Sequence, residues 1–190
     1  MGKLIIISAP SGTGKSTIIS RIIDDERLKL AFSVSATTRS PRDGEVNGVN
    51  YYFMTVDEFE QRVKNDEFAE YQQVYEGRYY GTLKCEIERI MDSGRNVVLD
   101  IDVLGGINVK KIYGDRALAL YILPPSMQAL RERLEHRGTD SSEEIEKRVA
   151  KAEFELGYVD AYDKRVVNDV LDVAVEQVRD IVTDFVLPCE

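Results

Sequence analysis

The strongest constraint on the fold is a short segment near the start of the chain, where an apolar run meets a glycine-containing turn. Residues 3–8, KLIIIS, form a nearly continuous apolar run rich in β-branched side chains. Such a run is typical of a strand that is buried on both faces of a parallel sheet. The turn APSGTG follows, and then KSTIISRII places isoleucines at helical spacing. A buried strand, a glycine turn and a helix in this order predict the first unit of an α/β fold.

The turn nearly matches the pattern G-x-x-x-x-G-K-[ST], in which backbone amides surround phosphate groups at the start of a helix. Gly14, Lys15 and Ser16 occupy their places and Gly12 adds backbone freedom, but Ala9 stands where the first glycine is usual. A methyl group at the end of a strand is tolerated if φ is negative. We therefore predict a working phosphate loop, in which Lys15 reaches the β- and γ-phosphates and Ser16 offers its hydroxyl to Mg²⁺. A turn that matches by chance is the alternative, and the register of strand, loop and helix disfavours it.

Three further apolar runs continue the alternation of strands and helices. Residues 95–101, 117–123 and 163–168 are predicted strands, and residues 172–186 predict a closing helix. Strands that alternate with helices predict a parallel sheet covered on both faces. Asp100 lies at the end of the first of these three runs, at the usual place for a carboxylate that orients Mg²⁺ or its water shell. Taken alone, Asp100 would be interpreted as a solvated loop residue.

Two segments interrupt this alternation. Residues 33–82 are rich in aromatic side chains and contain an Asp-Gly and an Asn-Gly turn, so we expect an inserted, partly antiparallel unit. Residues 126–156 are highly charged and predict two helices. Gly138 suits the C-terminal end of the first helix, and Ser141 with Glu144 predicts a capping box at the start of the second.

Length and composition narrow the class of protein. The 190 residues predict a single domain, and the net charge of −9 argues against a nonspecific nucleic-acid binder, which needs a basic face. His136 is the only histidine, which argues against a histidine zinc site or a catalytic triad. Cys85 and Cys189 lack metal-ligand spacing and are expected to be reduced thiols. No apolar run reaches the roughly 18 residues of a membrane span, and we find no signal peptide, so we expect a cytoplasmic protein.

Seven segments distributed along the chain together resemble the guanylate kinase family. They are SAPSGTGKST, FSVSATTRSPRDGEVNGVNYYF, EFAEY, RYYGT, VVLDIDVLGG, RLEHRGTD and VVND. The first segment alone indicates only a nucleotide-binding loop, whereas the second is far more specific. The resemblance implies phosphoryl transfer from ATP to GMP, and to dGMP, giving ADP and GDP, with Mg²⁺ as cofactor, in purine nucleotide metabolism.

The resemblance also implies how the chain is organised. The expected fold is a P-loop NTPase-type parallel sheet flanked by helices, with an inserted mixed α/β region and a helical lid. The core takes up about residues 1–32, 83–125 and 157–190. We call residues 33–82, which would bind GMP, the acceptor region, and residues 126–156, which would cover ATP, the lid region.

On the ATP side, the resemblance implies a nucleotide-binding set, a catalytic set and a metal set. The ATP-binding set is Ala9, Pro10, Ser11, Gly12, Thr13, Gly14, Lys15, Ser16, Thr17, Arg133, Arg137 and Asn168. The catalytic set is Lys15, Arg39, Arg137 and Arg148, and the metal set is Ser16 with Asp100 acting through water. Lid arginines can stabilise the charge on a transferring phosphoryl group. A charged helix pair with glutamate partners is the alternative interpretation of these arginines.

On the acceptor side, the resemblance implies that GMP is bound by Ser35, Arg39, Arg42, Tyr51, Glu70, Tyr80, Thr82 and Asp102. Arginine forks and tyrosine hydroxyls suit the phosphate of GMP. Guanine presents donors at N1 and N2, so the ionised carboxylates of Glu70 and Asp102 favour it over adenine. Thr82 stands where the family usually has serine, and it keeps a hydroxyl that can donate to O6. An exposed charge at a helix end is the alternative interpretation of Glu70.

Two rival functions are left open by the sequence. Guanylate-kinase-like domains of membrane-associated scaffold proteins bind peptides and have lost phosphate-loop function, but Gly14, Lys15 and Ser16 are intact here. An enzyme of similar fold could instead use another nucleotide or a sugar phosphate as acceptor, although Glu70 and Asp102 favour guanine. The expected partners are therefore ATP and GMP, with no nucleic acid, no membrane and no obligate protein partner.

Overall fold

The computed structural model describes residues 1–136, 138 and 140–187. In chain order its elements are β1 Leu4–Ser8, α1 Lys15–Ile22, β2 Leu30–Phe32, β3 Ala36–Thr37, β4 Tyr52–Phe53, α2 Val56–Lys64, β5 Phe68–Tyr75, β6 Arg78–Leu83, α3 Lys84–Asp92, β7 Asn96–Asp100, α4 Val103–Tyr113, β8 Ala117–Leu123, α5 Met127–His136, α6 Ser142–Leu156, β9 Lys164–Val167 and α7 Leu171–Val186. The four predicted core strands and the closing helix are confirmed. Among the described residues, none of the helices has the length and hydropathy needed to span a bilayer.

The core is a five-stranded sheet in the order β2-β7-β1-β8-β9, and every neighbouring pair is parallel. The central strand β1 pairs on both sides, with Leu4 opposite Val97 on β7 and Ala117 on β8. The predicted α/β class with a parallel sheet is thus confirmed. The edge strand β2 was not predicted, because three residues are too few to give a periodic signal.

Both faces of the core sheet are covered by helices, which explains the continuous apolar run of β1. Ile5 and Ile7 pack with α1 and α7 on one face, whereas Leu4 and Ile6 pack with α3 and α4 on the other. All four side chains are fully buried. Burial of one such side chain contributes about 1.5–3 kcal/mol, so the β1 side chains alone hold the phosphate loop firmly at the end of the strand.

The acceptor region contains a second sheet in the order β4-β3-β6-β5. The pairs β3–β6 and β5–β6 are antiparallel and β3–β4 is parallel, so the expected partly antiparallel unit is confirmed. Helix α2 covers this sheet and stacks Phe59 on Phe68 with ring centroids 4.3 Å apart. Thr55 and Glu58 form a capping box that starts α2.

The lid region is a helical hairpin of α5 and α6. The helices share an apolar cluster of Leu130, Leu134, Ile145, Val149 and Ala152. The predicted capping box is present, because Glu144 N–H donates to Ser141 Oγ at 3.3 Å and Ser141 N–H donates to Glu144 Oε2 at 2.9 Å. Gly138 has a φ of 63°, in the left-handed region that a glycine after a helix commonly adopts. The division of the chain into core, acceptor region and lid region stays a prediction.

Candidate active site

The turn between β1 and α1 requires glycine at two positions. Gly12 and Gly14 have φ values of 93° and 91°, which side chains with a Cβ rarely adopt. A Cβ on Gly14 would lie 2.5 Å from Asn168 Nδ2, and one on Gly12 would lie 2.9 Å from a methyl carbon of Leu134. Ala9 has no positive φ and packs against the apolar core, so the condition for tolerating its methyl group is met.

Side chains from distant parts of the chain hold this loop. The buried Asn168 donates from Nδ2 to the carbonyl oxygen of Thr13 at 2.7 Å, and the Thr13 hydroxyl donates to the carbonyl of Pro10. Arg133 on α5 donates to the carbonyl oxygen of Asn168 at 2.9 Å. The structure therefore brings two residues of the predicted ATP-binding set to the loop, where they bind the backbone of the protein itself.

The loop opens onto a cavity of about 380 Å³ that also contains Asp100. Lys15 begins α1 and Asp100 ends β7, and the two meet because β1 and β7 are parallel neighbours in the sheet. Lys15 Nζ lies 2.5 Å from Asp100 Oδ1. Ser16 and Thr17 line the same cavity. The predicted lysine, hydroxyl and carboxylate are therefore within one site.

One lid arginine contacts the loop directly. Arg148 on α6 donates to Ser11 Oγ at 2.8 Å and to Asp140 Oδ1 at 3.3 Å. Its guanidinium group is thus held at the rim of the cavity. Arg137 lies outside the described residues, and its place in the site stays a prediction.

Two further cavity residues on α6 were missed by the sequence analysis. Glu155 and Lys151 line the loop cavity, with Lys151 Nζ 3.7 Å from Glu155 Oε1. Burial raises the pKa of Glu155 above its ordinary range. A lysine and a glutamate four residues apart are usual on a solvated helix face, so the sequence carried no signal that this pair faces the site.

The predicted acceptor-phosphate residues gather around Arg39. Its guanidinium lies 5.4 Å from the centre of the Tyr51 ring, and the rings of Tyr51 and Tyr80 meet edge to face at 6.0 Å. Both arms of the Arg39 fork donate to Glu45, at 2.8 Å to each carboxylate oxygen. Arg42 donates its backbone N–H to the same carboxylate at 2.7 Å, while its side chain is exposed.

Glu45 was not singled out in the sequence, although it completes this cluster. The hydrogen bonds from Arg39 lower the pKa of the Glu45 carboxyl to about 2, and the Arg42 backbone N–H acts in the same direction. The Glu45 carboxylate thus occupies the bidentate position that a phosphate would take on Arg39. An acidic residue three positions after Arg42 was the only hint that the sequence gave.

The predicted base-reading residues come together from three strands. Glu70 lies on β5, Thr82 on β6, and Asp102 follows β7. A Cβ on Gly105 would lie 3.2 Å from Glu70 Oε2 and 3.4 Å from Asp102 Oδ2, so both carboxylates approach the first turn of α4. Asp102 Oδ1 caps that helix by accepting from Leu104 N–H at 2.9 Å and Gly105 N–H at 3.1 Å.

One expectation for these residues needs correction. Glu70 is a partly buried residue on a strand, so the alternative of an exposed helix-end charge is wrong. The Thr82 hydroxyl donates to Glu70 Oε1 at 2.6 Å, and its expected contact with O6 of guanine stays a prediction. Burial raises the pKa of Glu70 to about 7, against a lowering by the Thr82 hydrogen bond, and the charge of Asp102 raises it further.

A second cavity, of about 260 Å³, lies beside the first. It is lined by predicted acceptor residues, Ser35, Tyr51 and Thr82. Ser33 lines it as well, and its buried hydroxyl has no hydrogen-bond partner among the described residues. Asp100 and Ile101 line both cavities, so the phosphate loop and the acceptor residues open onto adjoining spaces.

The first strand of the parallel sheet ends in a glycine loop, and Lys15 and Asp100 line the cavity beside that loop. This arrangement defines a P-loop protein, which binds nucleotide phosphates. Comparison with known proteins narrows this class. The sequence model of the guanylate kinase family matches residues 1–185. The chain therefore belongs to the guanylate kinase family, whose members are nucleoside monophosphate kinases.

Individual relatives support the same assignment. The chain is 56% identical to a guanylate kinase of Porphyromonas gingivalis, over 98% of this chain and 99% of that protein. It is 52% identical to a guanylate kinase of Bacteroides thetaiotaomicron, over 97% of this chain and 90% of that protein. The crystal structure of a guanylate kinase from Anaplasma phagocytophilum matches with a TM-score of 0.72 at 28% identity, covering 98% of this chain and 87% of that one.

Proposed function

We propose that this chain transfers the γ-phosphoryl group of ATP to GMP, giving ADP and GDP. The observation that carries the proposal is the meeting of two cavities at Asp100 and Ile101, one at the phosphate loop and the other at the acceptor residues. Tyr51 lines the second cavity, and its ring lies 5.4 Å from the Arg39 guanidinium. A donor phosphate on the loop and an acceptor phosphate beside Tyr51 and Arg39 would then face each other across this junction. The relatives described above are all guanylate kinases, which supports the same reaction.

On the donor side, the phosphates of ATP would be bound by the backbone amides of the loop and by the N-terminus of α1. Lys15 would exchange its contact with Asp100 for the β- and γ-phosphates. Arg148, which already contacts Ser11, would add positive charge where negative charge develops on the transferred group. Arg133 and Asn168 would act by fixing the loop backbone, and the role of Arg137 is carried over from the resemblance alone.

The donor set also fits Mg²⁺, which prefers oxygen ligands and needs one or two carboxylates beside the phosphates and water. Ser16 would supply a hydroxyl, and Asp100 would act through water. Asp100 lies next to Lys15, at the phosphate end of the loop, and its side chain is about one-third exposed to the cavity. The ion would neutralise the charge on the phosphate oxygens.

On the acceptor side, GMP would replace Glu45 at the Arg39 fork with its own phosphate, next to Tyr51 and Tyr80. The ionised carboxylates of Glu70 and Asp102 would accept hydrogen bonds from guanine. A phosphate oxygen of GMP, already ionised at neutral pH, forms the new bond to phosphorus while the bond to the bridging oxygen of ATP breaks. No general base is required, and catalysis consists of positioning and charge neutralisation.

Substrate binding is expected to move both the acceptor region and the lid region. GMP would draw the acceptor region inward and ATP would close the lid region, so that water is excluded as a competing acceptor. Addition of both nucleotides should lower the radius of gyration in small-angle scattering, and an unchanged curve would contradict closure. We further propose that the reaction belongs to purine nucleotide metabolism, because it converts one purine nucleotide into another, that it takes place in the cytoplasm, and that dGMP is a second acceptor.

The test is a coupled assay of ADP release with ATP and Mg²⁺ and a panel of GMP, dGMP, AMP, CMP and UMP. We expect turnover with GMP far above AMP, and a loss of about 1,000-fold or more in Lys15→Ala. Lys147→Ala is the matched control, because Lys147 is an exposed lid lysine paired with Glu143. Turnover that prefers another nucleotide, or that survives Lys15→Ala, would refute the proposed function.

A further inference from the structure

A buried carboxylate on the core helix α3 lies outside every set of residues described so far. The Glu86 side chain is only 2% exposed. Glu86 Oε2 accepts from the Tyr52 hydroxyl at 3.0 Å and from Arg89 Nε at 2.8 Å, and Oε1 accepts from the terminal nitrogen of Arg89 at 2.9 Å. Tyr52 and Arg89 thus fill three of the roughly four acceptor sites of this carboxylate.

The partners of Glu86 connect the core to the acceptor region. Tyr52 lies on β4 and donates its backbone N–H at 2.9 Å to the carbonyl oxygen of Ser35, which lies on the segment that leaves the core strand β2 for β3. One carboxylate on a core helix therefore holds β4 directly and the segment of Ser35 through Tyr52.

The residues next to these partners face the acceptor cavity. Tyr51 and Ser35 line it and are proposed to bind GMP. Tyr51 precedes Tyr52 in the chain, and Ser35 accepts the backbone N–H of Tyr52. Successive side chains of an extended strand point to opposite sides. Tyr52 can therefore be tied to α3 while Tyr51 stays available to the cavity.

We propose that Glu86 is a positioning residue for the acceptor, which fixes Tyr51 and Ser35 relative to the core through Tyr52. The proposal rests on the proposed function, because it concerns the binding of GMP. This role differs from that of a residue that only stabilises the fold, because loss of the Glu86 contacts would weaken the binding of GMP and leave the binding of ATP unchanged.

The charge on Glu86 suits this role. Burial acts to raise the pKa of Glu86, but the hydrogen bonds from Arg89 and Tyr52 outweigh it, so the pKa lies below its ordinary value. The carboxylate is therefore ionised at neutral pH. Hydrogen bonds to an ionised acceptor are stronger than those between neutral groups, so the link to Tyr52 is a firm one.

The first test is Tyr52→Phe, which removes only the hydroxyl that bridges the acceptor region and α3. We expect KM for GMP to rise about 3- to 10-fold, as for the loss of one such hydrogen bond, while KM for ATP and kcat change less than about twofold. The matched control is Tyr79→Phe. Tyr79 also donates its hydroxyl to a glutamate, Glu60, but both of these residues lie within the acceptor region.

The second test combines Tyr52→Phe with Glu86→Gln. Because the two substitutions remove the same bridge, the double variant should raise KM for GMP less than the product of the two single effects. Glu86→Gln should lower the melting temperature, because an amide N–H₂ would face the donors of its former partners. A rise in KM for GMP no larger than in Tyr79→Phe, or equal effects on ATP and GMP, would overturn the proposal.

A third measurement does not depend on turnover. Hydrogen–deuterium exchange in the full chain should become faster at residues 33–36 and 51–53 in Tyr52→Phe, with α1 unchanged. If wild type fails to phosphorylate GMP but this exchange pattern appears, the proposed function fails and the anchoring by Glu86 stands. Unchanged exchange in these two segments would refute the anchoring itself.

Discussion

The phosphate loop and the acceptor site differ in what their binding groups are made of. The loop is one contiguous turn whose donors are backbone amides, and two left-handed glycines fix its shape. The acceptor groups are side chains on β5, on β6, on the segments that flank β3 and on the turn after β7, which are far apart in sequence. Several of them already have a partner in the protein, as Arg39 has in Glu45 and Glu70 has in Thr82.

This difference indicates how each site should respond to its ligand. Backbone amides held by a buried strand and by Asn168 are preorganised, so phosphate binding requires little rearrangement. The acceptor side chains must exchange a protein partner for a substrate group. Affinity for the acceptor therefore depends on charge, protonation and the position of the acceptor region. Substitutions in the phosphate loop and in the acceptor site should differ accordingly.

The largest effect is expected when the backbone of the loop is changed. Gly14→Ala forces a Cβ into the left-handed region and to within 2.5 Å of Asn168 Nδ2. The loop has to shift, and we expect kcat/KM for ATP to fall at least about 100-fold, because small misplacements of reacting groups are that costly. Steady-state kinetics at saturating GMP measures this loss.

Gly94→Ala is the control for Gly14→Ala. Gly94 has a φ of 80°, but a Cβ there would meet nothing within 4 Å. It should lose about 1 kcal/mol of stability and no activity. Equal kinetic losses in both variants would show that the contact with Asn168 is irrelevant.

A smaller effect is expected when an acceptor side chain keeps its charge but loses its shape. Arg39→Lys retains one positive charge and removes the fork that binds two oxygens. We expect kcat/KM for GMP to fall about 30-fold, in the range of one or two charge-assisted hydrogen bonds, with KM for ATP unchanged. A loss on the ATP side of similar size would contradict the separation of the two sites.

A third effect comes from protonation of the acceptor site. Glu70 has a raised pKa of about 7, so it is ionised above this pH and protonated below it. Guanine needs the ionised acceptor, and KM for GMP should therefore be about tenfold higher at pH 6 than at pH 8. KM for ATP should not share this dependence.

Glu70→Gln is the control for this pH dependence. It should bind GMP more weakly at every pH and lose the part of the pH profile that belongs to Glu70. The slope that remains comes from ionisation of the phosphate of the substrate. An unchanged profile in Glu70→Gln would assign the titration to another group.

The smallest effect is expected at the position where the loop departs from its usual pattern. Ala9→Gly restores the first glycine, but Ala9 has no positive φ and its methyl group packs against the core. We expect kcat and KM for ATP to change less than about twofold and stability to fall by about 0.5–1 kcal/mol, measured by chemical denaturation. A large gain in activity would mean that alanine distorts the loop.

Much of the core could be predicted because its signals are local. Runs of β-branched residues identify strands that are buried on both faces. The local order of strand, loop and helix also indicated that Lys15 and Ser16 begin α1. The capping box of Ser141 and Glu144 lies within four residues and was equally visible. The short strand β2 was missed because its three residues are stabilised by pairing with β7.

The acceptor site was less predictable because its contacts are not local. The sequence suggested Glu70 and Thr82 only through family resemblance, and it did not show that they bind each other. Nothing in the spacing of Lys151 and Glu155 indicated that they face the loop cavity. The Tyr52 hydroxyl that binds Glu86 comes from 34 residues away in the chain, so the role of Glu86 was equally hidden.

Local sequence is sufficient for the parallel α/β core and the phosphate loop, because hydrophobic periodicity, glycine and a Lys-Ser pair act over a few residues. The tertiary structure decided which charges meet: Lys15 with Asp100, Arg39 with Glu45, and Glu70 with Asp102 near Gly105. The physical reason is that electrostatic interactions depend on distance and burial in three dimensions. Sheet order and packing set both of these quantities, and the spacing of residues along the chain does not.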